Sequence, residues 1–173
     1  MSFTSLALPL LAALSLNACG INSIPTKDEG VKAAWADVQS QYQRRADLIP
    51  NLVNTVQGAA TNEQVILTQV AEARAKATHS LLKADERADP AKSAAYQQAQ
   101  DGLSSALSRL MVVVEKYPEL KSDQNFLALQ SQLEGTENRV AIARRDYNSA
   151  VQAYNTEIRT FPAIIVAKTI YGA

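Results

Sequence analysis

The sequence predicts an all-α protein, folded as an elongated antiparallel up-down-up-down four-helix bundle with coiled-coil-like packing. Three observations predict this class. The chain is rich in the helix formers Ala, Gln, Leu and Arg, and it holds only 6 glycines and 6 prolines among 173 residues. Apolar residues recur at intervals of three and four in four long segments. The breaks between these segments are short, which makes successive helices antiparallel neighbours.

The chain opens with an apolar run over residues 3–16 that contains no charged residue and is too short to cross a bilayer as a helix. We interpret residues 1–18 as a cleaved leader, although residues 1–6 lack the Lys or Arg that such leaders usually carry. Ala18 and Cys19, the one cysteine of the chain, resemble the lipobox of bacterial lipoproteins. The sequence therefore predicts lipidation of Cys19, and a plain secreted protein is the alternative.

Lipidation of Cys19 makes a membrane the first predicted partner, because two or three acyl chains anchor a protein stably. Gly20 stands where Gram-negative lipoproteins of the inner membrane typically carry aspartate. The resemblance thus implies a periplasm-facing protein of the cell envelope, at the outer membrane if the host is Gram-negative. Residues 19–27 are predicted to form a lipidated tether that Pro25 keeps from being helical, and residues 28–173 a single helical domain.

Capping patterns and prolines mark the ends of the four predicted helices: Thr26 with Glu29, residues 61–64, Asp89 with Pro90, Pro118, and Ser122 or Asp123. The fourth helix carries apolar residues at intervals of seven: Phe126, Leu133, Val140, Tyr147, Tyr154 and Phe161. This strict heptad predicts left-handed supercoiling. Pairing of the helices between molecules, as a coiled coil, is the alternative to a bundle within one chain.

Arg45 occupies a position in the apolar stripe of helix one where a core side chain belongs. A buried guanidinium needs partners from another helix. We assume that Ala59 lies level with Asp123 in an antiparallel pair of helices. Arg45 then lies opposite Glu137, because Arg45 is 14 residues before Ala59 and Glu137 is 14 residues after Asp123. We predict an ion pair between Arg45 and Glu137 that fixes helix register rather than catalyses a reaction. Glu134 and Glu115 are the alternative partners of Arg45, should Glu137 not pair with it.

Pro50 lies inside the same helix, where it removes one backbone N–H and bends the axis near Ala46. The carbonyl that it frees, together with Arg45, Asn51 and Asn54, forms a candidate binding site. Water filling the gap is one interpretation. A small ligand or a cell-wall fragment is the other, and it defines the alternative function of the chain.

Helix four also carries many polar residues for a helix that supplies a core stripe. Arg144, Asn148 and Asn155 form the candidate interaction face for another envelope protein. A solvated face with intrahelical salt bridges is the alternative.

The tail over residues 161–173 is apolar after Pro162, with Lys168 as its one charge. Three placements are open for it. It folds back over the end of the bundle, inserts into a groove of a partner, or lies in the interfacial region of the membrane.

Composition and motifs exclude several functions. Lys plus Arg and Asp plus Glu both number 17, so the chain has no basic field and nucleic acid is not an expected partner. His79 is the one histidine, and with Cys19 acylated it cannot build an ordinary zinc site or a Cys–His nucleophile pair. A glycine-rich phosphate loop and repeated Glu-x-x-His motifs are absent from the sequence. We expect no cofactor, no metal, no catalytic residue and no enzymatic activity.

Several segments taken together resemble the LemA family: residues 44–53 (RRADLIPNLV), 115–120 (EKYPEL), 125–126 (NF), 133–139 (LEGTENR), 144–148 (RRDYN), 154–155 (YN) and 161–162 (FP). The resemblance covers nearly the whole chain after the leader. It implies an antiparallel helical bundle tied to the envelope, mostly through a transmembrane segment that a lipobox replaces here. No enzymatic activity is established for the family, so the leading hypothesis is a non-catalytic adaptor or scaffold for protein–protein interaction.

Overall fold

The structure is a computed structural model that describes the backbone of residues 4–80 and 90–172 and the side chains of residues 22–80 and 91–172. The regular elements in these ranges are all helices: α1 (Thr4–Ala59), α2 (Gln64–His79), α3 (Pro90–Val114), α4 (Pro118–Ser122), α5 (Gln124–Glu157) and α6 (Ala163–Val166), which continues as a π-helical turn (Ala167–Tyr171). The all-α class is therefore confirmed for this part of the chain. The side chain of Cys19 and the predicted cap Asp89 lie outside the described residues.

A side-chain cap marks the start of α5 but not the start of α2. Asp123 precedes α5 and accepts a hydrogen bond from the Phe126 N–H through Oδ1 at 2.7 Å, which is the expected N-terminal cap. The predicted cap of α2 is wrong, because Glu63 precedes that helix and its side chain makes no capping bond. Glu63 Oε1 instead accepts a hydrogen bond from the Tyr117 hydroxyl at 3.0 Å. This tertiary contact takes the carboxylate away from the helix end.

Pro25 does not interrupt α1, so the prediction of a non-helical segment before residue 28 is wrong. Residues 22–27 are helical, and the Thr26 hydroxyl donates to the Asn22 carbonyl at 2.7 Å as an interior helix residue rather than a cap. Ile24 is buried against Ala163 and Val166 near the C-terminus. Burial of Ile24 offsets the unfavourable helix propensity of proline, as tertiary packing often does.

The chain divides into two compact units. The central unit (Asp37–Ile142) has a core made of residues from five helices: Ile49, Leu52, Val56, Leu67, Val70, Leu103, Leu107, Leu110, Leu120, Phe126 and Leu133. Most positions of the predicted stripes are buried here. Ala59 is only partly buried, whereas its neighbour Ala60 is fully buried. Pro118 opens the short helix α4, which the sequence did not predict, and Leu120 of that helix joins the core.

The terminal unit (Met1–Ala36 with Ala143–Ala173) has a smaller core. Ile24, Ala163, Val166 and Ala167 are buried together, with Tyr154 and Ile158 packed against them. The rings of Trp35 and Tyr147 also pack, with centroids 5.1 Å apart. Phe161, predicted as the last heptad residue, is 81% exposed because α5 ends at Glu157 and a turn follows.

A buried arginine cluster as the candidate functional site

The Arg45 side chain is 1% exposed and lies among three helices of the central unit. Its Nη1 donates to Glu137 Oε1 on α5 and to Ser104 Oγ on α3, both at 2.8 Å. Its Nη2 donates to Oε1 of Gln100, also on α3, at 2.5 Å. The structure thus brings together the two residues that the register argument paired. The alternative partners are used elsewhere, since Glu134 accepts from Gln130 and Glu115 pairs with Lys121.

Gln100 connects this cluster to a fourth helix. It is 3% exposed, and its Nε2 donates to the Ala77 carbonyl on α2 at 3.1 Å while its Oε1 accepts from Arg45. Both ends of the amide therefore have partners, as a buried amide requires. One arginine and one glutamine link α1, α2, α3 and α5 of the central unit.

Aromatic rings cover the remaining side of Arg45. The guanidinium carbon lies 5.0 Å from the ring centre of Tyr42, a cation–π distance. Tyr42 in turn meets Tyr96 edge to face, with ring centres 5.6 Å apart. Burial raises the pKa of the Tyr96 phenol far above its ordinary value, so this group stays neutral. Arg45 Nε is buried and has no hydrogen-bond partner among the described residues.

A second arginine satisfies the carbonyl that Pro50 frees. α1 runs without interruption through Pro50, which has no N–H to donate to the Ala46 carbonyl four residues earlier. Arg74 Nε of α2 donates to that carbonyl at 2.8 Å. A side chain therefore occupies the place for which water or a ligand was considered. The bend of α1 stays a prediction.

The structure does not assemble the candidate binding site around Pro50. Asn51 and Asn54 are exposed, whereas Arg45 is buried on the opposite, core-facing side of the helix and is already bonded. The Ala46 carbonyl is bonded to Arg74. The four groups thus form no common polar surface that a ligand could contact.

The chemistry of the cluster is structural. Its members are a permanent cation, a carboxylate, an amide, a hydroxyl and two phenols, and none of them is a nucleophile paired with a base. Among the described residues, no three of His, Cys, Asp and Glu lie close enough together to hold a metal ion. The arrangement can orient helices and can resist unfolding, and it offers no reacting centre.

The candidate interaction face lies on α5 in the terminal unit. Arg144 and Asn148 are exposed and Asn155 is partly exposed. At 100° per residue the three positions fall within about 40° of one another around the helix, so they share a face. A shallow depression runs along this part of the chain, lined by Asn148, Gln152, Asn155, Arg159 and Thr160.

Sequence reasoning missed Gln100, Ser104 and Arg74. Gln100 could have been found, because it falls between Tyr96 and Leu103 in the stripe of α3 just as Arg45 interrupts the stripe of α1. Arg74 could also have been found, since a hairpin centred on Ala60 places it level with Ala46. No comparable signal selects Ser104, because serine at a helix flank is ordinary.

The fold and the cluster define a helical protein in which a buried arginine joins three helices. The model of the LemA family matches residues 34–172, and the chain therefore belongs to the LemA family. The chain is similar to magnetosome proteins MamQ 1 and MamQ 2 of Paramagnetospirillum magneticum, with 30% identity over 157 residues, or 82% of this chain and 58% of each relative.

Magnetosome protein MamQ of Magnetospirillum gryphiswaldense is 26% identical over 171 residues, which cover 90% of this chain and 63% of that protein. The chain thus spans about three-fifths of the length of these curated relatives. Within the part of the chain that the structure describes, no helix has the length and apolar character needed to cross a membrane.

Proposed function

We propose that this chain is an envelope lipoprotein, anchored through Cys19, that acts as a non-catalytic adaptor for another envelope protein. The observation that carries the proposal is the exposed polar face of α5, on which Arg144 and Asn148 lie in a region of few buried residues. In the central unit, both Nη atoms of Arg45 are bonded to Gln100, Ser104 and Glu137 of neighbouring helices. The polar groups available to a partner are therefore those on the surface.

The proposal includes an antiparallel up-down-up-down arrangement of α1, α2, α3 and α5 in the central unit. Two contacts support it for α2 and α3, one between residues that flank the two helices and one between the helices themselves. Glu63 accepts from Tyr117 at one end, and Ala77 accepts from Gln100 further along. The residue number increases from 63 to 77 on the α2 side while that of the contacting residue decreases from 117 to 100 on the α3 side, as antiparallel packing requires.

The proposed location is a periplasm-facing position at a membrane, with the outer membrane favoured in a Gram-negative host. The lipobox-like residues Ala18 and Cys19 support it, and membership of the LemA family supports an envelope protein. Cell fractionation followed by mass spectrometry of the N-terminal peptide tests the anchor. A free thiol at Cys19 in the membrane fraction would reject lipidation.

Photocrosslinking in intact cells tests the adaptor role. A photoreactive amino acid replaces Arg144, Asn148 or Asn155 in turn, and crosslinked products are identified by mass spectrometry. Ser131 is the matched control, because it is exposed on the same helix but lies about 140° away from Arg144 around the axis.

We expect one recurrent envelope protein from the three face positions and not from Ser131. Crosslinks only between copies of this chain would reject a separate partner and indicate self-association. The absence of crosslinks at all three positions would reject the α5 face as the interaction surface.

A further inference from the structure

We propose that the C-terminal segment of the terminal unit, residues 158–172, lies on the surface of the lipid bilayer and fixes how the unit stands on the membrane. This inference rests on the proposed anchoring of the chain at the N-terminal end of α1. It assigns to the tail a membrane-contacting role that the anchor alone does not require.

The segment combines buried and exposed apolar residues. Ala163, Val166 and Ala167 are at most 5% exposed and pack against Ile24 of α1. Three large apolar residues of the same segment are instead exposed: Phe161, Ile165 and Ile170 are 81%, 49% and 59% exposed. The segment therefore uses some of its apolar residues for folding and leaves others uncovered.

The segment packs against a part of α1 that lies close to the proposed anchor. Ile24, against which the segment packs, is five residues after Cys19 on the same helix, or about 7.5 Å along the axis at 1.5 Å per residue. Two further contacts hold this end of the unit together, because Glu157 accepts from the Ser23 hydroxyl and pairs with Lys27. Acyl chains on Cys19 thus bring the exposed apolar residues close to the lipid surface.

The segment also carries positive charges. After Glu157 the sequence contains Arg159 and Lys168 and no Asp or Glu. Both cations are exposed, and neither has an ion-pair partner among the described residues' salt bridges. Cations beside apolar and aromatic side chains are typical of segments that lie in the interface of membranes with anionic lipids. A groove in another protein is the alternative cover for this surface, and quenching by spin-labelled lipids distinguishes it from a bilayer.

The experiment uses the full chain reconstituted into vesicles of phosphatidylethanolamine and phosphatidylglycerol. The variants Ile165→Cys and Ile170→Cys are labelled with an environment-sensitive fluorophore, and quenching by spin-labelled lipids is measured. Gln152→Cys is the matched control, because it is exposed on α5 in the same unit. The parent chain, labelled in the same way, gives the background from Cys19. All of the substituted positions are exposed, so folding is expected to survive, and circular dichroism checks it.

We expect at least about twofold stronger lipid quenching at positions 165 and 170 than at 152, because an interfacial segment buries its apolar side at the headgroup boundary. Equal quenching at the three positions overturns the inference. A blue-shifted emission at 165 and 170 without lipid quenching also overturns it, since a protein contact and not lipid then covers the segment.

A charge variant gives a second readout. Lys168→Glu in the chain labelled at position 165 is expected to lower the quenching in anionic vesicles, whereas Lys116→Glu, an exposed lysine of the central unit, leaves it unchanged. Equal quenching in both charge variants contradicts a headgroup contact of Lys168.

Mass spectrometry of Cys19 in the same samples separates this inference from the proposed anchor. An acylated Cys19 without quenching retains the anchor and rejects the tail contact. Quenching with a free Cys19 retains the tail contact and rejects the lipid anchor.

Discussion

The central and terminal units hold their charged residues in opposite ways. In the central unit the Arg45 guanidinium is 1% exposed, and its partners come from two other helices. In the terminal unit the pair of Lys27 and Glu157 is 3.4 Å apart, with side chains 37% and 24% exposed. A buried charge that loses its partners is costly, whereas a solvated pair contributes little. The two units should therefore respond very differently to the loss of one charge.

The largest effect is expected from Arg45→Met. The substitution leaves the buried Oε1 of Gln100 without a donor and removes the link between three helices. We expect the free energy of unfolding to fall by about 3 kcal/mol, in the range found when one partner of a buried polar network is removed. Urea denaturation followed by circular dichroism measures it.

Arg44→Met is the control, because Arg44 is the exposed neighbour, and its replacement should change stability by less than about 0.5 kcal/mol. Equal stability and an unchanged fold in the two variants would show that Arg45 does not fix helix register.

A smaller effect is expected at Pro50. Arg74→Met leaves the Ala46 carbonyl without its donor, and we expect a loss of about 1–2 kcal/mol. Pro50→Ala restores a backbone N–H four residues after Ala46, so Arg74→Met should cost much less in that background. A double-mutant cycle in urea should give a coupling of about 1 kcal/mol between the two positions.

Lys76→Met, an exposed residue of the same helix, is the control and should show no coupling to Pro50. Additive effects of Arg74→Met and Pro50→Ala would contradict the assignment of Arg74 as the substitute donor.

The smallest effect is expected in the terminal unit. The Ser23 hydroxyl and Lys27 hold the pKa of Glu157 below its ordinary value. Because the carboxyl pKa is lower in the folded state than in the unfolded state, the contribution of this group is present at neutral pH. It is lost as the pH falls through the folded-state value. The free energy of unfolding should therefore fall less between neutral and acidic pH in Glu157→Gln than in the parent. The difference should be less than about 1 kcal/mol, because the pair is partly solvated.

Fluorescence of Trp35 measures this effect, because the one tryptophan of the chain packs on Tyr147 in the terminal unit. Melting curves at about pH 7 and pH 4 are compared for the parent, for Glu157→Gln and for Glu115→Gln, an exposed carboxylate of the central unit. The same pH dependence in all three proteins would contradict a role for Glu157.

Much of the fold follows from patterns within single segments. The alternating spacing of apolar residues locates α1, α2, α3 and α5, and Asp123 marks the start of α5. Arg45 stands out because one charge breaks a regular stripe. The spacing of the antiparallel pair then identifies Glu137, since both residues are at a fixed number of steps from a turn.

Other features depend on contacts between distant segments, which no local pattern encodes. Pro25 lies inside a helix, and its neighbouring residue Ile24 packs against Ala163 and Val166. Glu63 fails to cap α2 because Tyr117 takes its carboxylate. For Pro25, the helix forms although proline in a helix interior costs about 3 kcal/mol.

The sequence by itself determined the all-helical class, the family, the main helices and the pairing of Arg45 with Glu137, because periodicity and register are properties of one helix or of one helix pair. Only the tertiary structure decided that Gln100 and Ser104 complete the Arg45 cluster and that Arg74 satisfies the Ala46 carbonyl. Gln100 and Ser104 lie on a third helix, α3. Arg74 reaches the Ala46 carbonyl through the conformation of its long side chain. Hydrogen bonds of that kind are set by where whole helices pack, and the free energy that selects them is shared among residues far apart in the sequence.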